Sequence, residues 1–427
     1  MLVTRRPVPS EIQSEEIGIG DPTIRWFFLF VNRMEHRRTV DVKVIFGLFL
    51  VHFIGDFYIS FISPLLPVFV EKFSLTLTQV GLMVGISRFL AFVVQPPVGY
   101  LADHYRTPFF VLGGPLLAIV FIPLVGIAPA FLALILFISL GSVGSSMFHP
   151  TVAGMVSTYS GRHFGFSMSI FNMGGTLAFA VGPLFITYCV SSYGLRAAPY
   201  TMIFGLAAMA FLFKVIPLPQ GEGLKSLGFA GSLSAVLGPV WKSIMLIWIV
   251  MVLRTFVTQS FMTFIPVLYA KEGFSLVSIG TMVSLFTVAG AMSGLIAGHL
   301  SDKIGYKPIL YSAFGLTTPS LYLLLYLSGN WIYLGIFWAG FFAMATLPLG
   351  VAMAQELAPR GRSMVSSLMM GLVYGTGGMM TPVTGMVADV YSIRGVLSFL
   401  AIIPFLTMSL IFLLPEKKLQ YRQTAAV

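Results

Sequence analysis

Charge is what this chain has least of. Of its 427 residues, 9% are charged and 57% are hydrophobic, and the mean hydropathy is +0.92. A soluble protein of this length carries roughly a quarter charged residues. The composition therefore excludes a soluble globular domain and implies an all-α polytopic membrane protein. Cysteine is almost missing. The single Cys189, in an apolar run, excludes an intramolecular disulfide and any cysteine-built zinc site; it reads as a small packing residue. No nucleotide-binding P-loop occurs, which argues against ATP-driven pumping. Nor does any cluster of catalytic groups or any sizeable soluble domain, so an enzyme or a membrane sensor or scaffold has little to stand on. No cofactor is expected.

The formal charge of +10 points to nucleic acid only until its location is considered. The basic residues sit in short links between apolar runs, where they set membrane orientation. Residues 1–43 form a charged lead with one short apolar patch, Trp26–Phe30, flanked by Arg25, Arg33, Arg37 and Arg38. The patch is too short to span and no small-residue cleavage site follows, so a signal peptide is not expected. An interfacial helix and a disordered tail both remain open.

A span needs about 20 mostly apolar residues. Twelve stretches qualify: 44–70, 80–101, 108–127, 130–158, 164–190, 197–218, 242–270, 277–299, 308–328, 331–357, 364–389 and 394–414. The Gly- and Ser-rich linker 219–241 separates the sixth from the seventh, giving six-span bundles over 44–218 and 242–414 and a tail over 415–427. The halves resemble each other. "EKFSLTLTQVG" (Glu71–Gly81) returns as "KEGFSLVSIG" (Lys271–Gly280), "GYLADHYRTP" (Gly99–Pro108) as "GHLSDKIGYKP" (Gly298–Pro308), and "SGRHFG" as "PRGRSM". Three pairs in one order argue for a duplicated unit, a recurring transporter architecture with the substrate site at the interface of the repeats.

Lysine and arginine give the orientation. One side of the bundle holds four, Lys72, Arg196, Lys271 and Arg394; Arg88 and Arg254 lie within spans; all the others fall on the tails and the even-numbered links. Both termini are therefore expected in the cytoplasm.

"GHLSDKIGYK" resembles the signature loop of the major facilitator superfamily, which recurs after spans two and eight. The first copy keeps Gly99, Leu101 and Asp103 but has Arg106 where glycine is usual. "HFIGD" in span one, "QPPVGYLAD" closing span two, "GSVGSSMFHP" in span four and "GRHFGFSMSIFNMGG" in span five are similar to the fosmidomycin resistance protein family of bacterial exporters. The resemblance runs from about residue 44 to residue 414. It implies twelve helices in two pseudo-symmetric halves, alternating access and proton-driven efflux (antiport) of a small molecule from the bacterial inner membrane. "GGTLAFAVGPL" matches the antiporter motif of drug exporters only at Gly182–Pro183, and its small residues also read as helix packing. A proton-coupled transporter of an endogenous sugar or organic acid is the alternative. The expected partners are the substrate, protons and the lipid bilayer, with no nucleic acid, and the chain is expected to be monomeric.

Ionisable residues near the bilayer centre cost about 2.5–3.5 kcal/mol each on insertion scales, so those kept there should face the protein interior and have partners. His52, Asp56, Ser60, Ser63 and Pro67 form one stripe along span one, expected to line a wet cavity. At about 1.5 Å per residue, Asp56 and Arg254 lie about 18 Å from one end of their spans and Arg88 about 12 Å from an end of its own, all near mid-membrane. Aligning Pro67 with Pro266 sets Arg254 opposite Gly55, and the resemblance implies that spans one and seven face each other across the pathway. An Asp56–Arg254 ion pair is therefore expected, with Arg88 competing for the carboxylate. A proton on Asp56 would free the arginine for an anionic substrate such as a phosphonate or carboxylate; a permanent structural pair is the other possibility. His52 either relays protons to Asp56 or orients it. His149, on a face with Ser142, Ser145 and Ser146 ahead of Pro150, is either a substrate or proton site or a packed histidine at a kink. With no third ligand at a recognisable spacing beside His52 and His149, no metal site is expected. Gln95, Asn172, Gln259 and Tyr374 are further substrate-contact candidates, each of which also reads as an interhelical hydrogen bond. The gate residues implied by the signature loops are Gly99, Asp103, Gly298, Asp302 and Lys303. Glu356 and Arg360 join them in an expected charge network.

Overall fold

A computed structural model describes residues 40–104, 108–161, 164–218, 231, 238–358 and 362–415. The lead over 1–39, nearly all of the 219–241 linker, Arg360 and the tail beyond 415 lie outside the described residues. So do the surroundings of Gly99 and the side chains of Asp103 and Asp302. Every regular element among the described residues is helical, as lipid requires, because a helix satisfies its own backbone N–H and C=O groups. Eleven helical stretches there are long and apolar enough to cross a membrane, and Arg362–Met379 with Thr381–Val390 stands where the remaining span was expected.

Four spans are interrupted for one or two residues that keep right-handed helical dihedrals. Span one runs as Val42–Ile59 and Ile62–Phe73, span ten as Trp331–Met344 and Leu347–Leu357, span eleven as above, and span twelve as Ile393–Leu400 and Ile403–Ile411. In spans ten, eleven and twelve the second helix opens with a proline in its first turn, Pro348, Pro382 and Pro404. A proline N-terminus leaves no donor unsatisfied there, whereas inside a continuous helix it removes a hydrogen bond and clashes with the preceding turn.

The duplicated stretch after spans one and seven folds the same way in both halves. Leu75 N donates to Val70 O at 3.1 Å and Phe274 N to Tyr269 O at 3.0 Å, each closing a helix through a left-handed residue, Ser74 and Gly273. Thr76 and Ser275 then cap the next helix, their hydroxyls accepting from Gln79 N and Ser278 N.

We call the side where span one begins at Val42 the near side, and the opposite side the far side. The halves meet where span one's second helix packs on span seven, span two on span eleven and span five on span eight. Several of the polar bonds joining them are on the far side. Ser63 donates to Met262 O at 2.7 Å, Thr381 Oγ1 donates to Gly81 O at 2.9 Å, and Asp389 accepts from Leu77 N at 2.7 Å, Thr78 N at 2.9 Å and Thr78 Oγ1 at 2.6 Å. The expected wet stripe along span one is thereby corrected. Ser60 is buried against Gly182 of span five, donating to Phe57 O, and Ser63 spends its hydroxyl on span seven.

Candidate functional site

Span one carries His52 and Asp56 one helical turn apart, both buried. Three neighbours define their setting because glycines allow close approach. Gly55 leaves room for the Phe148 ring of span four, so that a Cβ there would collide with it, and His149 arrives beside Asp56 as a result. On span five, a Cβ on Gly175 would fall on His52 Nε2 and 3.0 Å from Asp56 Oδ2. The Phe171 ring, one turn earlier, stacks on His52 with centroids 4.2 Å apart.

The resulting cluster has a definite proton logic. His52 Nδ1 lies 2.8 Å from Phe171 O and His149 Nδ1 lies 2.6 Å from Ser145 O. A carbonyl only accepts, so both rings must donate from Nδ1. Their Nε2 atoms then point at one carboxylate, His52 at Asp56 Oδ2 (3.2 Å) and His149 at Asp56 Oδ1 (3.4 Å). With both rings neutral, two nitrogen lone pairs and a carboxylate would face one another with no donor among them. The cluster therefore needs positive charge within it. Two lone-pair sites and two carboxylate oxygens provide the places to hold it.

A second group gathers around Tyr374 of span eleven, and Arg88 joins it from the other half. Arg88 of span two donates from Nη2 to Gln259 Oε1 of span seven at 3.3 Å, and its guanidinium lies 5.9 Å from the Tyr374 ring of span eleven. Gly378 makes room for the Arg88 stem, since a Cβ there would overlap it. Arg254, 5% exposed, donates from Nε to Ala343 O at 2.9 Å, just before the break in span ten, and also interacts with Tyr374. Arg254 Nη2 and Arg88 Nε are buried with no hydrogen-bond partner. An unsatisfied buried donor on a charged group is costly, about 1–3 kcal/mol or more.

The Asp56–Arg254 ion pair expected from the repeat alignment does not form in this structure. Asp56 turns to the two histidines of its own half, while Arg254 is held by the Ala343 carbonyl of span ten. Arg88 interacts electrostatically with Asp56 and His149 but is bonded to Gln259. Contrary to the expectation from spacing, His52 and His149 do have a third ligand group beside them: it is Asp56, with all three ligand atoms within 4.8 Å of one another.

The other candidates are placed as follows. Gln95 faces span eleven, its Oε1 3.1 Å from where a Cβ on Gly371 would stand, along span two from Arg88. Asn172 is exposed on span five, next to the Phe171 that holds His52. Ser142 Oγ donates to Ser87 Oγ at 3.0 Å, tying span four to span two. Among the gate residues, Gly298 O accepts from Ser301 Oγ at 2.7 Å, Lys303 is exposed, and Glu356 Oε1 accepts from Tyr306 Oη at 2.6 Å. Tyr306, Gly175, Gly378 and Asp389 escaped the sequence reading. Only Asp389 left a usable signal: a carboxylate in the last turn of a helix sits at the unfavourable pole of the dipole, so it is better placed capping another helix.

Comparison with known proteins agrees with this architecture. A sequence model of the Major Facilitator Superfamily matches residues 48–382 and 247–426. The fosmidomycin resistance protein of Escherichia coli (strain K12) is 28% identical over 385 residues, covering 88% of this chain and 94% of that protein. The quinolone resistance protein NorA of Staphylococcus aureus is 23% identical over 62% of this chain and 59% of its own length. A bacterial homologue of the human lysosomal transporter Spinster, solved in an inward-facing and occupied conformation, superposes with a TM-score of 0.73 at 16% identity, covering 87% of this chain and 96% of that one. The chain belongs to the Major Facilitator Superfamily.

Proposed function

We propose that the protein is a secondary transporter that works by alternating access and exports a small anionic compound in exchange for protons. The observation that carries the substrate class is the pair of arginines that both reach Tyr374, Arg88 from the first half and Arg254 from the second, each with a buried guanidinium nitrogen lacking a partner. An anionic group entering between Arg88 and Arg254, with Gln259 and Tyr374 beside it, would supply the missing acceptors. Gln95, Asn172 and His149 are proposed as further contacts along the same path. The His52–Asp56–His149 cluster is proposed as the proton site, since its acceptors converge on one another and call for a proton between them. Export, rather than uptake, is supported by the similarity to a fosmidomycin and a quinolone resistance protein. The far-side bonds between the halves support a state closed on that side. With Lys and Arg concentrated on the tails and even links, we propose that the near side is cytoplasmic and the membrane is the bacterial inner membrane. The signature-loop residues Gly99, Asp103, Gly298, Asp302 and Lys303, with Glu356 and Arg360, are proposed to close the near side in the alternate state.

One observation favours a second reading. Asp56 and Arg254 share no bond, so proton and anion do not compete for one group. Opposite charges bound near each other attract, which is the sign for symport of an anionic metabolite. Transport in proteoliposomes across an imposed pH gradient separates the two. Antiport predicts that a small organic anion moves against the proton flow and symport that it moves with it. Carriage of cations or neutral compounds alone, or indifference to the gradient, would overturn both.

A further inference from the structure

We infer that the His52–Asp56–His149 cluster is also a binding site for one divalent transition-metal ion of the zinc class. The geometry of the cluster carries this whatever the protein transports. Zinc bonds to histidine nitrogen and carboxylate oxygen are about 2.0–2.2 Å long, and structural zinc is tetrahedral. Ligand atoms on adjacent corners of such a tetrahedron stand about 3.3 Å apart. Here His52 Nε2 is 3.2 Å from Asp56 Oδ2 and His149 Nε2 is 3.4 Å from Asp56 Oδ1, so each imidazole stands at about that spacing from its own oxygen of the shared carboxylate, and one ligand atom from each of the three residues lies within 4.8 Å of the others.

The outer contacts point the same way. A metal-bound histidine almost always donates its other ring N–H to a carbonyl or carboxylate, which fixes the tautomer and aims the free lone pair at the ion. Both histidines do this, His52 to Phe171 O and His149 to Ser145 O. The ligands come from two helices, spans one and four, and Gly55 and Gly175 hold the space around them. Two histidines and one carboxylate leave a fourth position for water or another ligand. The His149 side chain, 24% exposed, is the accessible edge of the cluster, whereas His52 and Asp56 are buried. An open position of this kind sets the cluster apart from closed structural sites. Donor chemistry narrows the ion to the transition metals: imidazole with carboxylate suits zinc, iron, copper, cobalt or nickel, and the single carboxylate is poor provision for calcium or magnesium, which prefer oxygen throughout. Arg88 from span two is a charged neighbour of the cluster and opposes the ion's charge, which limits affinity. Entry of the ion displaces to solvent whatever protons the Nε2 atoms and the carboxylate hold.

Cobalt(II) is the probe, because its visible absorption reports tetrahedral nitrogen and oxygen coordination. The full-length protein, purified in detergent and freed of any histidine tag, should bind one equivalent of Co²⁺, develop that absorption, and lose it to one equivalent of Zn²⁺. His149→Gln and His52→Gln should weaken binding about tenfold or more, taking the tenfold lower bound known for outer contacts as a floor. Arg254→Ala, outside the ligand set, should keep the spectrum. Bleaching by Zn²⁺ needs no variant, so a histidine variant that fails to fold does not spare the inference. Absence of stoichiometric Co²⁺ binding in the unaltered protein overturns it, as does wild-type binding in the folded histidine variants. A protein that binds Co²⁺ but ignores a pH gradient would leave the metal site standing and remove the proton-coupling reading; the reverse outcome would do the opposite.

Discussion

Asp56 owes its surroundings to two residues that have no side chain. Gly55 admits Phe148 and so brings His149 to the carboxylate, and Gly175 leaves the volume that His52 and Asp56 occupy. Gly175→Ala should therefore push the imidazole off its position. Overpacking of this kind costs about 1–3 kcal/mol, and a lowered melting temperature together with lost proton coupling is expected. A variant with unchanged stability and unchanged coupling would show that the cluster tolerates displacement. At Arg254 the prediction concerns the substrate. Removing a charged hydrogen-bond donor costs about 1.5–3 kcal/mol, so Arg254→Ala should raise the KM for an anionic substrate about tenfold or more. Arg254→Lys keeps the charge but loses the fork that reaches both Ala343 O and an entering anion. It should recover only part of the loss. Equal KM values for all three proteins would remove Arg254 from the substrate path.

Among the helices, the least symmetric feature is the far-side latch. Asp389 closes span eleven and caps the start of span two, taking two backbone N–H groups and one hydroxyl from the opposite half. If the protein alternates access as proposed, these bonds break when the far side opens. Because Asp389 is exposed, its net contribution is modest, on the order of 1 kcal/mol. Asp389→Ala should shift the balance toward the far-side-open state about fivefold. Spin labels on the far-side ends of spans one and seven would read this as a longer distance population, and an unchanged distribution would mean that the latch is not energetically significant. The helix breaks in spans ten, eleven and twelve belong to the same scale. Each was marked in the sequence by a proline, but a proline inside a span reads equally as a kink. Only packing decides that the helix restarts at Leu347–Pro348 and that Ala343 O meets Arg254.

At the scale of the whole molecule, the sequence carried the helical class and the superfamily plainly. Hydrophobic runs of span length and the repeated signature loops are strong local signals, and lipid leaves the backbone few alternatives. The site was legible only in part. His52 and Asp56 announced themselves by spacing, and His149 by its polar face. Their convergence did not, because it depends on glycines whose effect is visible only when two helices touch. The Asp56–Arg254 pairing failed for a related reason. Pseudo-symmetry predicts which helices face each other, but it cannot tell that each charged group finds a nearer partner in its own half.

Gradient-driven transport by wild type and Asp56→Asn in proteoliposomes, with substrate exchange at equal pH measured in parallel, decides whether the cluster carries the coupling proton. If the His52–Asp56–His149 cluster carries the coupling proton, Asp56→Asn loses accumulation driven by the pH gradient and retains exchange, because exchange needs only alternating access with substrate bound. Accumulation by Asp56→Asn at the wild-type level would contradict the account.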